Sequence, residues 1–117
     1  MGSASAPDGT QNIGIGSSTL ASTSTGYANT AIGYNSMTSN TTGIFNMAVG
    51  SFALQNNISG NNNAAIGAYA LSSNSTGSFN TAMGLNAALN NTSGNSNVAI
   101  GTYALQNNTI ANNNVAI

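Results

Sequence analysis

The residues that could do chemistry in this sequence are few. Asp8 carries the one charged side chain, and Lys, Arg, His, Glu and Cys are all absent. General acid–base catalysis, Schiff-base chemistry and thiolate attack therefore lack their usual side chains. Many Ser and Thr hydroxyls remain, with no neighbouring base to activate them. A soft or borderline metal would find no His or Cys ligand, and a hard cation would have one carboxylate and amide oxygens. The sequence thus reads as that of a non-enzyme without metal or cofactor, and Asp8, in Pro7-Asp8-Gly9-Thr10, reads as a turn residue.

Three groups of residues remain as candidate sites. Asn40, Asn57, Asn74 and Asn91 each open an Asn-x-Ser/Thr sequon, a candidate N-glycosylation acceptor if the source has the machinery. Tyr27, Tyr34, Phe45, Phe52, Tyr69, Phe79 and Tyr103 could form a receptor stripe, although they do not share one sequence column. Recurrent Asn residues could bind glycans along an edge. Their simpler reading is structural, because Asn caps turns and stacks into side-chain amide ladders.

Partners are bounded by the same composition. A chain without cations cannot displace counterions from nucleic acid and has no basic patch for anionic lipid. No apolar run approaches the roughly 18 residues that span a bilayer, and Met1 to Thr10 has neither the basic nor the apolar part of a signal peptide.

What positions these residues is a repeat. The block Asn97-Val98-Ala99-Ile100-Gly101 recurs from Asn12 every 17 residues without insertion or deletion, through copies at Asn29, Asn46, Asn63 and Asn80 to a partial copy at Asn114. The chain divides into a leader, 1–11, expected to be partly disordered or to act as a crude cap, and an array of 12–28, 29–45, 46–62, 63–79, 80–96 and 97–113 with the partial 114–117. Columns follow. Ile15, Ile32, Val49, Ile66, Met83 and Ile100 occupy the fourth position of the repeat. Gly14 and then Ala31, Ala48, Ala65, Ala82, Ala99 and Ala116 occupy the third. Leu20, Met37, Leu54, Leu71, Ala88 and Leu105 occupy the ninth, and Leu89 beside Ala88 suggests a local shift in that copy. Gly16, Gly33, Gly50, Gly67, Gly84 and Gly101 close the block. Gly26, Gly43, Gly60, Gly77 and Gly94 form a second glycine column, replaced by Ala111 in the last copy.

The period selects the architecture. On a continuous helix, 17 residues at about 100° each leave successive copies out of phase. On one continuous strand an odd period flips alternate copies to the opposite face. Columns therefore require a turn within each repeat, and the glycine columns supply turn positions. The expected fold is all-β: a parallel β-solenoid, or β-roll, of one coil per repeat with equivalent residues stacked about 4.8 Å apart. Each coil is expected to hold two short strands, the Asn-x-Ala-Ile-Gly block and a second block typified by Tyr103-Ala104-Leu105. In this reading the Ile and Leu columns fill the core and the Ala columns face outward. So thin an apolar core points to oligomerisation through the flat Ala faces.

The blocks Asn29-Thr30-Ala31-Ile32-Gly33 and Asn40-Thr41-Thr42-Gly43 resemble the repeats of trimeric autotransporter adhesin heads and of phage or viral tail-fibre stalks. The resemblance covers residues 12–117. It implies a left-handed β-roll with three chains side by side, on a cell or virion surface, and a chain that is a segment of a longer fibre. Adhesin-head repeats are typically shorter, so the loop departs from that pattern. The functional expectation is a rigid extracellular spacer, a homotrimer with candidate host-surface or glycan contact. Two alternatives follow from the pattern: a self-assembling end-to-end filament, and an ice-binding or other flat-face ligand-binding solenoid.

Overall fold

The computed structural model describes residues 11–117, so the leader and Asp8 lie outside the described residues. Seven strands are formed: β1 (Ile13–Ile15), β2 (Thr30–Ile32), β3 (Met47–Val49), β4 (Ala64–Ile66), β5 (Thr81–Met83), β6 (Val98–Ile100) and β7 (Val115–Ala116). They make one parallel sheet in sequence order. Equivalent residues face one another throughout: Ile15 pairs with Ile32, Ile32 with Val49, and Val49 with Ile66. The fold is a β-solenoid whose coil is the 17-residue repeat, and the stack extends 36 × 21 × 15 Å.

Each coil contains one strand, not the two expected. The second block is a run of turns, and its backbone explains why. The ninth position has left-handed φ, 52° at Leu20, 51° at Met37, 49° at Leu54 and 52° at Leu71, and so does the seventh, as at Phe52 (63°) and Tyr69 (59°). The position before each opening Asn is also left-handed, for example Ala28 at 56° and Phe45 at 56°. Most L-residues avoid this region, at a cost on the order of 1–2 kcal/mol each. Here the arc keeps its coil-to-coil hydrogen bonds in return. Met37 N donates to Ala53 O at 3.0 Å and Leu54 N to Ala70 O at 3.0 Å, while Asn35 N donates back to Ser17 O at 3.0 Å.

The two glycine columns meet different demands. Gly33, Gly50, Gly67 and Gly84 have φ of 128° to 134°, and a Cβ on Gly67 would lie 2.6 Å from Gly84 O. In the second column φ is not left-handed. There the requirement is close approach, since a Cβ on Gly43 would meet Gly60 O at 2.5 Å.

The core reverses the expected sides of the strand. Ala31, Ala48, Ala65, Ala82 and Ala99 are fully buried, whereas the Ile column faces outward, with Ile15 at 42% exposure, Ile32 and Ile66 at 36%, Met83 at 40% and Ile100 at 37%. Val49 is half-buried. Ile15, Ile32, Val49, Ile66, Met83 and Ile100 are therefore not core residues. The narrow lumen explains the correction. Opposite the strand it already holds the ninth-position column, of which Leu20, Met37, Leu54 and Leu71 are buried and Leu105 partly buried. The eighth-position residues Ala53, Ala70 and Ala87 are buried with them. Only a methyl group fits between. The fifth coil is not shifted: Ala88 takes the ninth-position place, with φ 49° and 2% exposure, and Leu89 lies half-buried beside it.

Candidate functional site: an amide-lined interior and an apolar outer face

Asn supplies much of the interior. In the first-position column Asn29, Asn46, Asn63, Asn80 and Asn97 are at most 2% exposed, and in the twelfth-position column Asn40, Asn57, Asn74 and Asn91 are fully buried. Buried amides are tolerable only when their donors and acceptors are satisfied, and here the coils satisfy one another. Asn46 Nδ2 donates to Asn29 Oδ1 at 3.2 Å and to Gly60 O at 2.8 Å, and Asn46 N donates to the same Oδ1 at 3.0 Å. Asn63 repeats the pattern one coil later on Asn46 Oδ1 and Gly77 O.

The twelfth-position ladder is parallel to the first. Asn57 Nδ2 donates to Asn40 Oδ1 at 2.8 Å and to Gly60 O at 3.0 Å; Asn74 and Asn91 do the same on Asn57 and Asn74. The carbonyls of Gly43, Gly60, Gly77 and Gly94 thus accept from both ladders and staple the loop to the strand entrance, while Gly26 O accepts from Asn12 Nδ2 alone. A glycine is needed there because the ladder amides pass beside it. In the first coil Thr23 holds the ladder position, and its buried Oγ1 has no partner.

These bonds determine the fate of the sequons. Asn40, Asn57, Asn74 and Asn91 point inward, with Nδ2 committed to interior acceptors. A glycan on that nitrogen cannot be housed in the coil, so the folded chain offers no acceptor at these four positions. The Asn columns accordingly serve as ladders rather than as an exposed binding edge.

The outer face of the sheet is the reverse of this polar interior. Its second- and fourth-position residues run Ile13 and Ile15, Thr30 and Ile32, Met47 and Val49, Ala64 and Ile66, Thr81 and Met83, Val98 and Ile100. Among the described residues none carries a charge. With Val115 of β7 as a seventh rung, six strand spacings of about 4.8 Å make a stripe about 29 Å long, and its two side-chain columns, about 7 Å apart, make it about 12 Å wide with their side chains.

The aromatics, scattered in sequence, gather into two groups. Tyr27 packs edge-on against Phe45 with centroids 5.5 Å apart. Tyr34 is edge-on to Phe52 at 5.3 Å, and Phe52 stacks on Tyr69 at 4.7 Å with planes 9° apart. Phe79 lies exposed near neither group, and Tyr103 is exposed two coils beyond Tyr69. The sequence missed the Tyr34–Phe52–Tyr69 cluster because Tyr34 sits one column before the others.

Among the described residues there is no cluster of His, Cys, Asp or Glu that could hold a metal, no enclosed pocket, and no helix long and apolar enough to cross a membrane. The arrangement offers stacking surfaces and hydrogen-bonding amides. Compared with known protein families, curated proteins and solved structures, the chain matches none.

Proposed function

We propose that this chain is a structural fibre segment, three copies of which pack side by side through the apolar face of the sheet. The reading places the assembly outside the cell or on a virion, as a rigid spacer of left-handed coils. The observation that carries it is the uncharged stripe on β1–β7, aliphatic or Met at every position but Thr30 and Thr81. At about 29 by 12 Å it covers about 350 Å², within the range in which the largest exposed patches of monomers are often functional. A second copy suits it better than an unrelated partner, because equivalent residues recur at one spacing along the whole stripe. The contact area also grows with every added coil, so a long array is held by repetition of a weak unit.

One observation weighs against the flat-face alternative. A flat ice-type face would need outward hydroxyl rows, whereas Ser24, Thr41 and Thr92 turn their hydroxyls to carbonyls of the next coil. Sedimentation equilibrium tests the proposal. A single particle of three 11.5 kDa chains is expected, and Ile32→Asn with Ile66→Asn should convert it to monomer. A monomeric parent chain, or a trimer indifferent to both substitutions, rejects it.

A further inference from the structure

Of the four methionines in the sequence, Met37, Met47 and Met83 fall among the described residues, and the coil separates them into two environments. Met37 is fully buried in the ninth-position column, whereas Met47 and Met83 are 45% and 40% exposed. Met47 holds the second position of β3 and Met83 the fourth position of β5. Both therefore stand on the outer face of the sheet, one in each column of the stripe and one on each side of the central strand, β4. Met47 pairs in register with Thr30 and Ala64, both shorter side chains, and Met83 with Ile66 and Ile100. The chain has no Cys, so thioethers are its most readily oxidised groups.

We propose that Met47 and Met83 form a redox-sensitive modification site: oxidation by hydrogen peroxide converts both to sulfoxides and bars the chain from packing against a second copy. The inference rests on the lateral packing proposed above. In each step a sulfur lone pair attacks one peroxide oxygen, and the S–O bond forms as the O–O bond breaks. The proton on that oxygen passes to the departing hydroxide, leaving sulfoxide and water. The thioether loses two electrons and the peroxide gains them. A sulfoxide is polar where the thioether was apolar. In the free chain its oxygen stays in water, but between packed stripes it must give up that water. Because Met47 and Met83 flank the central strand, any alignment that overlaps most of the stripe covers both. The coupling is reciprocal: oxidation opposes assembly, and assembly shields the two thioethers from peroxide.

Peroxide footprinting of the whole chain tests this, read by peptide mass spectrometry over a range of protein concentrations, with N-acetylmethionine as an internal reference. Sedimentation equilibrium on the same samples reports the assembly. In dilute chain Met47 and Met83 should oxidise at least about ten-fold faster than Met37, which peroxide reaches only when a coil opens. Once the chain assembles, both rates should fall several-fold against the reference. A partly oxidised sample separated by size should carry the Met47 and Met83 sulfoxides in the monomer and not in the assembly. Reduction with both methionine sulfoxide reductases and dithiothreitol should return that monomer to the assembly. A chain that is monomeric at every concentration before peroxide removes the lateral packing and this inference with it. An assembly that accepts both sulfoxides, footprints at 47 and 83 that ignore assembly, or a Met37 that reacts as fast as Met47 overturns the inference alone.

Discussion

Replacing Asn63 by Ala tests the amide ladder most sharply. The Asn63 side chain donates to Gly77 O at 2.9 Å and Asn46 Oδ1 at 3.1 Å, and its Oδ1 accepts from Asn80 N at 3.0 Å. Asn46 Oδ1 keeps a donor in the backbone N of residue 63. Gly77 O loses one of its two amide donors but keeps Asn74 Nδ2. Asn80 N is left with no partner in the interior. An orphaned buried donor costs about 1–3 kcal/mol, and two lost hydrogen bonds with a small cavity add about 1–2 kcal/mol more. The expected destabilisation is about 3–4 kcal/mol, a large part of the stability of a domain this size. Asn56→Ala, on an exposed side chain that makes no side-chain hydrogen bond, should stay within about 0.5 kcal/mol. Urea unfolding followed by far-UV circular dichroism compares them. Hydrogen exchange adds local resolution, since repeat arrays open coil by coil. If Asn63→Ala costs no more than Asn56→Ala, the interior ladder does not hold the coils together.

Three further outcomes follow. Thr23→Asn should extend the twelfth-position ladder by one rung, giving Asn40 Nδ2 a second acceptor and removing the unpaired hydroxyl; a gain of about 1 kcal/mol is expected in the same unfolding assay. Gly60→Ala should destabilise by about 2–3 kcal/mol or more, because the added Cβ collides with Gly77 O and Asn57 Oδ1, whereas Ala111→Gly should cost less than about 1 kcal/mol; thermal melts of the two variants check the contrast. Stability should change by less than about 0.5 kcal/mol between pH 5 and pH 7, since the sequence has no His, the side chain that ordinarily changes charge within that window; a sloped profile in urea titrations would contradict this.

The period, the parallel register and the inward ninth-position column were legible in the sequence. A turn in each repeat was needed to keep Ile15, Ile32 and Ile66 in phase, and a stack of coils is the simplest way to provide it. The direction of the strand faces was not. Alternation shows that Ile32 and Ala31 face opposite ways, but not which way is in. The discriminating signal was size: the third position varies only between Gly14 and Ala, as an enclosed space requires, while the fourth admits Ile, Val and Met. The left-handed residues were hidden because Leu54, Met37 and Phe52 give no local sign of positive φ; the stacked hydrogen bonds impose it. The sequons at Asn40 and Asn74 were readable as motifs, yet their burial depends on a ladder visible only once the coils are stacked.

The central claim is that the Ile-bearing face of the sheet joins one copy to another while the Ala column lies within the coil. Because the chain has no cysteine, a single nitroxide can be placed at Ile66→Cys and another, in a separate sample, at Asn56→Cys. Electron paramagnetic resonance should show strong dipolar broadening between copies for the label at 66, relieved by dilution with unlabelled chain, and little for the label at 56. Sharp, dilution-independent spectra at 66 would contradict the claim.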